Sequence, residues 1–289
     1  MSARARSAAR AAGLVGVVLA LSGAPGARAA FEVRDASPAS LGEASLETAA
    51  APLFAPESET RTRVAASRAS LFETGDLVAQ RLSAEGSLVR ARVAVAWSQV
   101  SAPGARESAL SISLRERVDA PLTFGVLVER LALAVDGVPG ITGIAAGGCA
   151  AARAHARGAT IELSVGADRA LRSSALGRAR VPSALTGALA LRSGASRACY
   201  AERWEPDGSR SPRLVLDLPM GDAMRVRLGR GGDPGRIGAA VAFRIGRAEL
   251  TWGRLDFSSG GSITAVEVAW RGEEDRTGEA AGRGGGDAR

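Results

Sequence analysis

The sequence predicts an all-β chain: an antiparallel meander closed into a β-barrel of about 10–14 strands, with a short N-terminal helix or arm. Three observations predict it. Apolar residues recur at every second position over runs of about 9–11 residues, the length a tilted strand needs to cross a bilayer. Short Gly, Pro and Asp clusters punctuate those runs. The N-terminus has the layout of an export signal.

The export signal comes first in the chain. Arg4, Arg6 and Arg10 form a basic start, and Ala11 to Leu21 is an apolar run too short to span a bilayer as a helix. Ser22, Gly23, Pro25 and Gly26 break that run, and Ala27-Arg28-Ala29 reads as an A-x-A cleavage site. Residues 1–29 are therefore expected to be a signal peptide. Ala24 stands where a lipidated cysteine would be, so no lipid anchor is expected.

The charge balance follows from this segment. The 289 residues carry a formal charge of +7, and every one of the 37 basic residues is Arg. Lys and Asn are absent, which points to a GC-rich coding bias acting across unrelated residue types. Without residues 1–29, 33 Arg face 30 Asp and Glu, so a nucleic-acid partner is not expected.

Residues 30–59 are rich in Ala, Ser and Pro. Ser37 before Pro38 suits an N-cap and first helical position, and Leu41, Ala44, Leu46 and Ala50 make a short apolar stripe. A short helix or a loose arm fits here.

The period-two signal runs over about residues 60–270, the expected barrel domain. Val89, Ala91, Val93, Val95 and Trp97 alternate with Arg90 and Arg92. Leu110, Ile112 and Leu114 alternate with Ser111, Ser113 and Arg115. Leu122, Phe124, Val126 and Val128 follow, and the parity then changes to Leu131, Leu133 and Val135. That change predicts a turn or bulge near Glu129-Arg130. Residues 172–184 read as one longer loop. Leu214, Leu216 and Leu218 are followed by Met224, Val226 and Leu228, with Asp217, Arg225 and Arg227 on the other face. Ile237, Ala239, Val241, Phe243 and Ile245 come next, then Leu250 and Trp252, then Thr264, Val266, Val268 and Trp270. Consecutive strands joined by short turns make a meander. Residues 271–289 are charged and Gly-rich and read as a disordered tail.

Such alternation gives each strand one dry and one polar face. In a membrane barrel the dry face meets lipid and the polar face lines the lumen. In a soluble two-sheet sandwich the dry faces meet each other. Strand length, the run of hairpins and the export signal favour a barrel in the cell outer membrane, with membrane lipid and the outer-membrane assembly machinery as partners. A soluble periplasmic β-sandwich that binds a partner is the alternative. On the membrane reading Arg90, Arg92, Arg115, Arg225, Arg227, Arg244 and Glu267 line the lumen. They either bias it towards anionic solutes or pair with Asp217, Glu162 and Glu267 in a closed interior.

Val266, Val268 and Trp270 resemble the alternating, aromatic-ended last strand of outer-membrane barrels. Ala36-Ser37-Pro38-Ala39-Ser40-Leu41-Gly42-Glu43-Ala44 and the Asp233-Pro234-Gly235-Arg236 hairpin resemble barrels of the long-chain fatty-acid transporter and type IX secretion shuttle kind. That resemblance implies a small-residue N-terminal segment packed in the lumen. The barrel is expected to be a pore, transporter, or secretion or envelope component, with an anionic or apolar small-molecule ligand.

No catalytic or metal constellation is evident, so neither an enzyme nor a cofactor is expected. His155 is the only histidine, and an outer-membrane hydrolase using it with Ser164 or Ser173 is the third reading. Gly229 to Gly235 lies between two strands, so a hairpin turn fits better than a phosphate loop. Cys149 and Cys199 could be oxidised after export, as a disulfide or as two buried thiols.

Overall fold

The computed structural model describes residues 36–43, 62–73, 75–88, 91–116, 121–178, 181, 183–232 and 235–272. The expected signal peptide, most of the N-terminal arm, and the tail from residue 273 lie outside the described residues.

Fourteen antiparallel strands close on themselves. They are β1 (Thr62–Leu71), β2 (Val78–Leu88), β3 (Ala91–Ala102), β4 (Ala105–Glu116) and β5 (Leu122–Val135). β6 (Val138–Ala156), β7 (Ala159–Arg172), β8 (Ala184–Ser193), β9 (Ser196–Trp204) and β10 (Arg210–Pro219) follow. β11 (Met224–Gly231), β12 (Arg236–Ile245), β13 (Ala248–Phe257) and β14 (Ser262–Arg271) complete the sheet. Each strand pairs with its sequence neighbours, and the seam joins first to last, with Val64 opposite Trp270 and Leu71 opposite Ile263. Closure leaves no open edge, which a sheet in hydrocarbon requires. The two-sheet sandwich is thereby ruled out.

Among the described residues the expected apolar stripes face outward, except Leu131, Leu133 and Val135. Leu110, Ile112, Leu114, Phe124, Val126, Val128, Leu214, Leu228, Phe243, Trp252, Val266 and Trp270 are exposed on the outer wall. A surface this apolar would be untenable in water; in a bilayer it is the lipid contact. The inner wall is different in kind. It is papered with buried alanines, among them Ala65, Ala69, Ala96, Ala145, Ala190, Ala240 and Ala265, interspersed with charged residues such as Arg115, Asp217 and Glu267. A closed barrel resists detergent until heated. The detergent-extracted protein is therefore expected to migrate differently on a gel before and after boiling, and identical mobility would contradict closure.

The change of parity after Val128 has a different cause from the one expected. β5 runs unbroken through Glu129-Arg130, and its register shift lies between Leu133 and Val135. Leu131 and Leu133 point inward because something apolar waits there. The segment between β7 and β8, expected to be a plain loop, contains a short helix, α2 (Ser174–Arg178). Leu176 of that helix and Val181 beyond it are fully buried against Leu131, Ala145, Leu133 and Ile141. Gly143 makes the approach feasible, since a Cβ there would lie 2.3 Å from Ser173 Oγ and 2.4 Å from Leu176 Cγ.

A second insertion comes from the N-terminus. The helix α1 (Pro38–Gly42) packs against β11, β12, β13 and β14 from inside. Ser37 caps it, its Oγ accepting from the Ser40 N–H at 3.4 Å, and Pro38 opens the first turn. Leu41 is fully buried among Leu71, Leu255, Ile263, Ala69 and Ala265. The resemblance implied a small-residue segment in the lumen, and α1 lies there.

Candidate functional site: the lumen

Register fixes which side chains look inward. Arg63, Glu85, Arg92, Arg115, Arg153, Asp217, Arg225, Arg227, Arg244, Glu249, Glu267 and Arg271 share the inner face. Of the expected lining residues, Arg90 lies outside the described residues. Arg92, Arg115, Arg225, Arg227, Arg244 and Glu267 stand at inward positions.

Their surroundings differ. Asp217 is fully buried and sits between two guanidiniums: Arg227 donates to its Oδ2 at 2.7 Å and Arg225 at 3.4 Å. Arg227 also reaches α1, with Nη1 3.2 Å from Glu43 Oε1 and 3.3 Å from the Ala39 carbonyl. One arginine thus ties the inserted helix to the wall. Glu267 is held by Arg63, which also lies 3.6 Å from Glu249, while Glu249 accepts from Arg271. Glu162 pairs with Arg153. Asp217, Glu267 and Glu162 therefore do act as counter-charges, two of them for arginines that the strand pattern did not single out.

Other parts of the lining were also missed. Arg169 and Glu129 form a pair at 2.7 Å, their side chains only 1% and 4% exposed. Arg169 sits at a register shift between β6 and β7 and takes a left-handed φ of 47°. A bulge of this kind re-aims one side chain, and no alternation marks it in the sequence. Arg203 lies 3.6 Å from Asp168 and 3.4 Å from Glu205. Arg63 was missed because β1 carries small or polar residues on both faces, so no stripe reveals its parity.

Among the described residues, two of the expected lining arginines remain open to the lumen. The Arg225 side chain is 43% exposed, despite its contact with Asp217, and Arg244 is exposed at the end of β12. Both lie near the rim where the chain enters at Thr62 and leaves at Gly272, here termed the terminal rim. The opposite, loop rim carries the connection with α2.

The histidine and serines do not converge. His155 shares a hydrogen bond with Thr160 Oγ1 at 2.9 Å across the β6–β7 turn, at the terminal rim. Ser164 pairs in register with Ala151, further up the same hairpin, and Ser173 accepts from the Ile144 N–H at the loop rim. Cys149 and Cys199 are unbridged thiols on separate strands, β6 and β9.

No protein-family model matches the chain, and no curated protein matches it in sequence. Solved structures match in fold. A protein described as the CymD monoaromatic hydrocarbon channel superposes with a TM-score of 0.57 at 9% identity, covering 84% of this chain and 99% of that one. A double mutant of the Rh. blastica porin (TM-score 0.41, 9% identity, 72% and 98% covered) and the KdgM porin (TM-score 0.40, 8% identity, 73% and 99% covered) are more distant. The likeness to the first of these shows the fold, and the closed barrel with its apolar outer wall fits an outer-membrane β-barrel. The narrower likeness to fatty-acid transporters and secretion shuttles is not confirmed by these comparisons.

Proposed function

We propose that the protein is an outer-membrane pore whose lumen is narrowed by α1 and α2 and favours small anionic solutes. The observation that carries this is the pair of accessible inward arginines, Arg225 and Arg244, at the terminal rim. Several acidic groups of the inner wall, by contrast, are buried in ion pairs, as Asp217, Glu129 and Glu267 show. A solute entering there meets fixed positive charge before it meets negative charge, and rings of arginine favour anions. The solute in the name of CymD is apolar; the charged wall here supports an anion instead. A ligand bearing a carboxylate would agree with both the arginines and the resemblance to fatty-acid transporters.

The test is conductance in planar bilayers under a salt gradient. The reversal potential is expected to report anion preference, and Arg225→Glu with Arg244→Glu is expected to move it towards cations. Absence of conductance, or cation selectivity in the unaltered protein, would overturn the proposal.

A further inference from the structure

The outer wall carries charge in an uneven way. Its arginines at outward register positions are Arg68, Arg106, Arg130, Arg210, Arg230 and Arg254. Each lies in the half of its strand nearer the loop rim, where Glu202 and Asp256 also face outward and leave the arginines in excess, six to two. In the other half, among the described residues, Glu116 is the charged outward residue, and Arg157 and Arg247 belong to turns. An arginine on a lipid-facing wall is costly at mid-membrane and tolerable near the headgroups. Keeping a rim wet would need charge at both ends. A one-sided belt needs a one-sided reason.

The belt also borders a groove. At the loop end of β10 to β13 lies a cavity of about 640 Å³, lined on its outward side by Tyr200, Pro212, Leu214, Ile237, Arg230 and Asp256. Tyr200, Leu214 and Ile237 are exposed apolar residues of the outer wall. Arg230 stands between Leu214 and Ile237 in register and makes no ion pair with a described residue. Arg254, two strands away, is partly neutralised by Asp256 at 2.8 Å and Glu73 at 3.5 Å, so Arg230 is the stronger cation. The combination is an apolar slot with the guanidinium of Arg230 at its loop-rim edge and Asp256, already engaged by Arg254, beside it.

We propose that this groove and belt bind the phosphorylated headgroup of an outer-leaflet glycolipid, with acyl chains against Tyr200, Leu214 and Ile237. A phosphate accepts from arginine in a charge-assisted, often bidentate way, and the apolar slot selects a lipid over a free ion. The polarity of the belt also assigns the loop rim to the outer leaflet, in keeping with short turns on the periplasmic side of such barrels.

The experiment uses the full-length barrel, folded in zwitterionic detergent. Retention of bisphosphorylated lipid A is read by native mass spectrometry, beside dephosphorylated lipid A and inorganic pyrophosphate. The expected result is retention of the phosphorylated lipid alone, with affinity at least about tenfold weaker in Arg68→Gln/Arg230→Gln/Arg254→Gln (roughly 1.4 kcal/mol) and unchanged in Arg157→Gln/Arg247→Gln. The gel shift on heating establishes that each variant is folded. Should the triple variant not fold, Arg230→Gln alone is measured against the same threshold of loss. Equal retention of the dephosphorylated lipid, binding of pyrophosphate as tight as that of lipid A, or full affinity in the folded belt variant would each overturn the proposal.

Discussion

Glu129→Ala is expected to lower the unfolding free energy of the barrel by about 3–5 kcal/mol, the usual cost of removing one partner of a buried ion pair. Glu129 and Arg169 are almost wholly enclosed and 2.7 Å apart. Taking away the carboxylate leaves the guanidinium in a dry place with less to hold it. Its backbone is fixed by the register shift at a φ of 47°, so the side chain has little scope to swing elsewhere. Exchanging both residues for leucine removes the charge together with its partner and is expected to cost clearly less. Urea unfolding in lipid vesicles, followed through tryptophan fluorescence, measures both. Equal losses for the single and double variants would show that packing, rather than the charge pair, holds this part of the wall.

Gly253→Leu is expected to raise single-channel conductance several-fold by driving α1 off the wall. A Cβ at this position would lie 2.7 Å from the Cα and 2.7 Å from the carbonyl oxygen of Pro38. Both are backbone atoms, which cannot turn aside as a flexible side chain would. The contact is relieved when the helix moves into the lumen or leaves it. Movement stretches the ties from Arg227 to Glu43 and to the Ala39 carbonyl, and withdraws Leu41 from its apolar cluster. Departure widens the pore. Thiol labelling of Ser37→Cys, in a background with Cys149 and Cys199 replaced by serine, gives a second readout. Faster labelling with higher conductance fits displacement of α1. Neither change would mean that α1 does not obstruct the lumen.

The outer wall was legible in the sequence almost position by position. At mid-membrane lipid favours apolar side chains, so Leu214, Leu216, Leu218 and their successors keep strict alternation and announce both strand and face. The inner wall was half legible. Arg225 and Arg227 could be placed because apolar neighbours fixed their parity. Arg63 could not, because Val64, Ala66, Arg68 and Ser70 form too mixed an outer face to reveal the strand's orientation. Leu131 and Leu133 misled for a physical reason: an apolar residue facing an inserted helix looks, in one dimension, like a strand that has changed phase. The Arg169–Glu129 pair joins residues 40 apart in sequence across a register shift, and no local pattern encodes such a meeting. The function remains a proposal because a pore is defined by empty space, and empty space leaves no motif.

The alanine papering of the inner wall bears on how the protein can change. Odd and even positions of one strand answer to separate demands, hydrocarbon on one side and the barrel interior on the other. A substitution at Ala96 or Ala240 alters calibre without touching the lipid-facing belt; one at Val95 or Val241 does the reverse. The smallest side chain with a Cβ leaves a lining site open to enlargement in single steps where neither inserted helix covers it, unlike Ala69, Ala265 and Ala145. Lineages carrying this barrel could therefore reshape its interior while keeping its fit to the membrane, with each trait inherited on its own set of residues.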